Sequence, residues 1–267
     1  MGGSELREAL LLLAQNADRA EVANRATGIR ISSGFLLLFL CVLSIAGLAL
    51  YLRARKRGKA YAAANWLYFL TYGTLAFQVV HTVEHLIQTG YWIRFPYNNP
   101  WLSPWADAAA RGLAVMGDSS ARLQTGNELL HLAGNGVFFF GLVAMFISLR
   151  DAGARGNKMW GAWWALILEG IHFGEHIVLT TTWYTIGKPY GLSVLFGWAY
   201  TLPEPWPPAV RIWWHFMFNL MPMVCALVAL REMYKFKVFA PLDKGAGEEA
   251  GEEVGDEKAA PEPAPAT

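Results

Sequence analysis

The sequence has few charged residues and few cysteines. Only 16% of its 267 residues are charged, whereas 54% are hydrophobic. This balance excludes a disordered chain and argues against an ordinary soluble domain. Cys41 and Cys225 are the only cysteines, and both lie in apolar runs, where a structural disulfide or a thiolate metal site is hard to build. The net charge is only +1 and no uniformly basic region exists, which argues against nucleic acid as a partner.

Five long apolar stretches organise the chain. They lie near residues 31–52, 62–90, 128–149, 160–182 and 210–231. Each is long enough to cross the ~30 Å hydrocarbon core of a bilayer, which needs about 20 helical residues. The sequence therefore predicts an all-α integral membrane protein with five transmembrane helices. Its predicted partners are the lipid bilayer and, as a further class, other membrane subunits.

Basic residues predict the orientation of these spans. Clusters of lysine and arginine follow the first span at 53–59, the third span at 150–158 and the fifth span at 231–237. With five spans all three clusters fall on one side, and basic flanks stay in the cytoplasm. We therefore expect a plasma or inner membrane location, with the N-terminus outside, the C-terminus cytoplasmic, and the longer connections 91–127 and 183–209 outside.

The domain organisation follows from these features. Residues 1–30 are leucine-rich with mixed charges and predict an N-terminal surface helix, and residues 31–59 contain the first span and its basic flank. Residues 60–150 and 151–239 each contain two spans. Residues 240–267 consist mainly of Glu, Ala, Gly and Pro, a composition typical of a disordered acidic tail.

The two double-span segments repeat one pattern of polar residues. The motif H-x-x-E-H starts at His81 and recurs at His172, and H-x-x-x-N starts at His131 and recurs at His215. Both copies begin on the same side of the membrane, which makes the repeat parallel, with an axis along the membrane normal. We expect a 2+2 pseudo-twofold four-helix bundle, with the first span packed at its periphery.

All the histidines are predicted to lie in one layer of the outer leaflet. At 1.5 Å per helical residue, the six rings reach a similar height, and the i, i+3, i+4 spacing puts each motif on one helix face. Glu84 and Glu175 are expected to bridge ions or to hold an imidazole tautomer. No catalytic residue is assigned, and the predicted metal ligands are His81, Glu84, His85, His131, His172, Glu175, His176 and His215.

The predicted histidine layer is consistent with four functions. Ionisable groups inside a membrane are costly unless they are paired or bound to a ligand, and imidazole with carboxylate suits copper or iron, with zinc as a further option. The first interpretation is a redox or oxygen-activating metalloprotein, an oxidoreductase if it is an enzyme. The others are a haem b electron-transfer protein, a zinc hydrolase, and a non-enzymatic metal-binding or structural subunit. A hydrogen-bonded network that only fixes helix register is the structural alternative.

Overall fold

The computed structural model describes residues 3–98 and 101–243, and the side chains of residues 25–98 and 101–242. Within these ranges all regular structure is helical and no strand occurs. The helices are α1 (Gly3–Lys56), α2 (Ala60–Arg94), α3 (Pro104–Gly117), α4 (Leu123–Asp151), α5 (Trp160–Ile186), α6 (Trp206–Lys235) and α7 (Ala240–Asp243), with 3₁₀ helices at Gly156–Met159 and Leu192–Thr201. The predicted acidic tail lies, from residue 244 onward, outside the described residues.

Within the described residues, three helices are long and apolar enough to cross a membrane, which is compatible with a membrane protein. These segments are Arg25–Lys56, Leu123–Asp151 and Trp206–Lys235. Helices α2 and α5 are also long, at 35 and 27 residues, but they contain the two H-x-x-E-H motifs. The polar residues of those motifs lower the hydropathy of both helices.

Helix α1 is continuous, although the sequence indicates a surface helix followed by a separate span. It runs over 54 residues without a proline to interrupt its backbone hydrogen bonds. The helix ends at Lys56, two residues before Gly58, which has a φ of +71°. The side chains of residues 1–24, which form most of the predicted surface helix, lie outside the described residues.

Helices α2, α4, α5 and α6 pack against one another, and α1 lies along α2, α3 and α4. Small residues allow close approach at two of these interfaces. A Cβ atom on Gly141 of α4 would lie 2.2 Å from Thr74 Oγ1 of α2, and one on Gly161 of α5 would lie 2.7 Å from the Cys225 carbonyl oxygen of α6. Close helix approach of this kind is typical of packing in membranes.

The long connections 95–122 and 187–205 meet at one end of the bundle, which we call the loop end. The first connection contains α3, whose alanine-rich face packs on α1 and α4. Ser103 caps α3, because its hydroxyl oxygen accepts a bond from the Ala106 amide at 3.1 Å. The second connection contains the 3₁₀ helix Leu192–Thr201.

Candidate metal centre

The structure brings all six histidines into one cluster. Helix α2 supplies His81 and His85, α4 supplies His131, α5 supplies His172 and His176, and α6 supplies His215. Contacts between rings, with centroids 4.6 to 6.0 Å apart, connect every member to at least two others. Five of the side chains are buried and His131 is partly buried.

Three of these histidines place their ring nitrogens unusually close together. His176 Nε2 lies 3.3 Å from His172 Nε2 and 3.1 Å from His215 Nε2. Of all His, Cys, Asp and Glu residues between 25 and 242, only these three form a group whose ligand atoms all lie within 4.8 Å of one another. We call this group the second triad, because all its members come from the second H-x-x-E-H and H-x-x-x-N pair.

The spacing of the second triad matches that of ligands on one ion. Imidazole nitrogens bind zinc at about 2.0–2.1 Å, and two such ligands at a tetrahedral angle lie roughly 3.3–3.4 Å apart. The observed separations of 3.3 and 3.1 Å are close to this value. A single N–H···N hydrogen bond also has such a length, but one proton on His176 Nε2 cannot point at both neighbours.

Hydrogen bonds fix the orientation of three rings. Nδ1 of His131 donates to the Asn127 carbonyl oxygen, and Nδ1 of His215 donates to the Arg211 carbonyl oxygen, both at 2.7 Å. Nδ1 of His85 donates to Gln88 Oε1, also at 2.7 Å. Because carbonyl oxygens only accept, the proton of a neutral ring stays on Nδ1 and the Nε2 lone pair remains free for a metal.

The remaining histidines form a wider group, the first triad, made of His81, His85 and His131. Its ring centroids lie 4.6 Å apart for His81 and His85, 5.8 Å for His85 and His131, and 6.0 Å for His81 and His131. Nε2 of His81 and Nε2 of His85 are buried, and neither has a hydrogen-bond partner among the described residues. Polar atoms buried in this way usually have a partner, so we expect the Nε2 atoms of the first triad to bind one as well.

The motif glutamates point to the loop end. Glu84 Oε1 accepts a hydrogen bond from the Ser103 amide at 3.0 Å, and Glu175 Oε1 accepts one from the Ser193 amide at 2.5 Å. Neither carboxylate bonds to a histidine within the described part of the chain. Each glutamate ties a connection to its helix through one carboxylate oxygen. Glu175 Oε2 is buried and has no hydrogen-bond partner among the described residues, and the bridging or tautomer-holding role stays a prediction.

Other polar residues surround the histidines on the side away from the loop end. Gln78 Nε2 donates to Asn219 Oδ1 at 2.8 Å, and Asn219 Nδ2 donates to the His215 carbonyl oxygen at 2.7 Å. His172 Nδ1 lies 3.5 Å from the fully buried Glu169 carboxylate. A carboxylate behind an imidazole is the common way to orient a metal-binding ring.

Arg211 is a site residue that the sequence analysis did not single out. Its Nη2 donates to Glu128 Oε1 at 2.6 Å, and Gln124 also bonds to that oxygen. Glu128 is fully buried and comes from the first repeat segment, whereas Arg211 comes from the second. The sequence did offer one signal for this residue, because Arg211 is a charged residue at the outer end of the predicted span 210–231. Because Glu128 is engaged with Arg211, its E-x-x-H spacing to His131 does not indicate a metal ligand.

A cavity of about 160 Å³ opens onto the cluster from the loop end. The histidines that line it are His85, His131 and His215, and the rest of the lining consists of three amide side chains, Arg211 and the apolar residues Leu102, Pro208 and Ile212. Small molecules can reach the imidazoles through the cavity, and the amide side chains that line it can form hydrogen bonds with a polar ligand.

The comparisons with known proteins identify a family but assign no chemistry. The model of the Family of unknown function (DUF6008) matches residues 20–245, a range that contains all six histidines. The chain belongs to this family. No curated protein and no solved structure matches the chain.

Proposed function

We propose that this protein is an integral membrane metalloprotein that binds a transition-metal ion in the second triad and uses it in redox or oxygen-activating chemistry on a small substrate. The observation that carries the proposal is the position of His176 Nε2, which lies 3.3 Å from His172 Nε2 and 3.1 Å from His215 Nε2, in a buried group whose ligand atoms all lie within 4.8 Å of one another. These rings are 0%, 0% and 3% exposed, so water cannot easily replace a missing partner.

Five transmembrane helices are part of the proposal. Helix α2 carries its histidines on the inner face, while apolar side chains around them are exposed, among them Val80 and Leu86 at 66% and 54%. Helix α5 has the same pattern, with Ile171 and Ile177 exposed at 44% and 47%. Exposed apolar surface of this extent is normally buried against a partner, and a lipid bilayer is the partner that suits long helices with polar inner faces. The basic clusters then place the loop end outside and the C-terminus in the cytoplasm.

The parallel 2+2 repeat is supported by equivalent contacts in both halves. Glu84 and Glu175 accept bonds from the amides of Ser103 and Ser193. His131 and His215 each donate from Nδ1 to the carbonyl oxygen four residues earlier. A common ancestor of the two halves would explain why one pattern of contacts occurs twice.

Copper is the favoured ion, with iron second and zinc third. The three donors of the second triad are imidazoles. Imidazole suits copper, iron, nickel and zinc better than magnesium, calcium or manganese, and copper(II) leads the general order of affinities. The cavity that reaches the histidine cluster at His85, His131 and His215 supplies the access that reactive chemistry needs.

The packing of the rings favours a bare ion over haem b. The rings of His131 and His176 are stacked, with centroids 5.2 Å apart and planes within 11° of parallel. A porphyrin needs a flat slot, and the cavity of about 160 Å³ is smaller than the roughly 300–1,000 Å³ of typical ligand pockets.

Elemental analysis and the visible spectrum of the detergent-purified protein test the proposal. We expect at least one copper or iron per chain, no Soret band, and one metal ion fewer per chain in His172→Asn and in His176→Asn than in the wild type. Glu175→Gln is the matched control, because it lies on the same helix between these histidines and should retain the metal. Size-exclusion profiles identify the folded fraction on which the metal is counted.

Three outcomes would overturn the proposal. A Soret band would indicate haem b. Zinc alone, with no oxygen uptake by the copper-reconstituted and reduced protein, would remove the redox role and favour a hydrolase or structural site. A folded protein that takes up none of these metals would leave a hydrogen-bonded network that only sets helix register.

A further inference from the structure

We propose that the first triad binds a second metal ion and that this ion carries the open coordination position of a dinuclear centre. The inference rests on the proposed function, since it needs the second triad to hold the first ion. His81, His85 and His131 form this separate site, and the ligands that it accepts are small molecules of about the size of dioxygen or azide.

A single ion cannot use all six histidines. Nitrogens that bind the same ion at about 2.0–2.1 Å lie no more than about 4.2 Å apart. In the described part of the chain the second triad is the only His, Cys, Asp or Glu group with all ligand atoms within 4.8 Å. Among the described residues the ring contacts of His81 are with Phe77, His85 and His131, and none is with a member of the second triad.

The first triad nevertheless has free ligand atoms. His81 and His85 are only 8% and 2% exposed, and Nε2 of each lacks a hydrogen-bond partner among the described residues. Nδ1 of His85 and of His131 is bound to an acceptor oxygen, so their Nε2 atoms present lone pairs. The Nε2 atoms of two buried imidazoles and one partly buried imidazole are a complete set of protein ligands for a reactive ion with one position open.

The two triads differ in how closely they are assembled. Ring centroids in the second triad lie 5.0, 5.0 and 5.7 Å apart, against 4.6, 5.8 and 6.0 Å in the first. An ion in the first triad must draw the rings inward, which costs binding energy. The second ion therefore binds more weakly and leaves first when a chelator is added.

The cavity determines which ion meets a substrate. It is lined by His85 and His131 of the first triad, but of the second triad only by His215. Gln88, Gln124 and Asn127 surround the opening with amide groups that can bond a small polar ligand. His172 and His176 are fully buried, so the first ion stays enclosed while the second can accept a ligand from the cavity.

Copper titration tests the assignment on the full-length protein in detergent. The metal-free chain is mixed with copper(II), desalted and analysed for copper per folded chain. We expect two copper ions in the wild type, one in His81→Asn and one in His172→Asn. Glu84→Gln, which changes the residue next to His85 in the same motif, should keep both.

These counts separate failure of the second ion from failure of the proposed function. One copper in the wild type that His81→Asn does not change would overturn the second site and leave the proposed function intact. Loss of all copper in folded His81→Asn would also overturn it, because the two sites would not be separate. No copper in any folded form would overturn both proposals.

Azide identifies the open position. In the copper(II) protein we expect azide to change the visible spectrum of the wild type and of His172→Asn, and to leave that of His81→Asn unchanged. An azide response that persists in His81→Asn would contradict the assignment of the open position to the first triad.

Discussion

Arg211 and Glu128 form an ion pair that joins α6 to α4 close to the histidines. Arg211 Nη2 lies 2.6 Å from Glu128 Oε1, and the two residues are 83 positions apart in the chain. Each is adjacent to the cluster, since Arg211 is four residues before His215 and Glu128 is three residues before His131. The pair therefore holds α4 and α6 together at the mouth of the cavity.

Removing Arg211 should be costly because it leaves the Glu128 carboxylate buried without its cation. We expect Arg211→Met to lower the free energy of unfolding by about 3 kcal/mol or more, as for other broken buried pairs. Combining it with Glu128→Gln should recover much of the loss. Thermal unfolding of the two single variants and the double variant in detergent measures this coupling, and strictly additive losses would contradict it.

Glu84 and Glu175 should stabilise the connections without affecting the metal. Glu→Leu at either position removes a charge-assisted hydrogen bond to a serine amide, a loss of about 1.5–3 kcal/mol. Glu→Gln retains an acceptor oxygen and should cost less. We expect limited proteolysis at 95–122 to increase in Glu84→Leu and at 187–205 to increase in Glu175→Leu, with unchanged metal content. Loss of metal in folded Glu→Gln variants would show that the carboxylates are ligands.

Asp118 should give the loop end a pH dependence at strongly acidic pH. Hydrogen bonds from the Arg122 side chain, the Ser120 amide and the Thr125 hydroxyl lower the pKa of Asp118 from 3.8 to about 2. A lowered folded-state pKa means that the stabilisation is complete above pH ~4 and is lost as the pH falls through about 2. The same contacts reach Trp183, whose Nε1 donates to Thr125 Oγ1 at 2.8 Å.

Trp183 fluorescence reports this transition in detergent. We expect a change with a midpoint close to pH 2 in the wild type and its absence in Asp118→Asn. A midpoint near the ordinary aspartate value, or an unchanged transition in Asp118→Asn, would contradict the role of these hydrogen bonds.

The proposed orientation predicts opposite accessibility of two exposed residues. Asn157 lies in the connection between α4 and α5, and Lys188 lies at the loop end, just after α5. In a chain with Cys41 and Cys225 replaced by alanine, a membrane-impermeant maleimide added to intact cells should label Lys188→Cys but not Asn157→Cys. Labelling of both sites would contradict the five-span arrangement, and the reverse pattern would invert it.

The sequence was most informative where a pattern stays within one helix. The i, i+3, i+4 spacing places His81 and His85 on one face of α2, and their rings do meet, with centroids 4.6 Å apart. The expectation that all six histidines share one level has a counterpart in the ring contacts that connect them. Helical periodicity and span length are local properties, so they can be read from the chain.

The sequence does not predict the hydrogen-bond partners of the carboxylates, because these partners are distant along the chain. Glu84 and Ser103 are 19 residues apart, and their contact depends on the backbone path of the first connection. The Arg211–Glu128 pair depends on how α4 and α6 pack, which periodicity does not specify. The sequence also does not show that α1 is continuous. Mixed charges before residue 31 indicate a change of environment, and they do not show whether the helix continues there.

The most direct test of the central claim, that imidazoles hold the metal, is the X-ray absorption spectrum of the copper-loaded protein at the copper edge. The proposed site predicts about three nitrogen ligands per copper at roughly 2.0 Å, with the outer-shell scattering of imidazole rings and no sulfur. A first shell of oxygen ligands without ring scattering, or a shell containing sulfur, would contradict it.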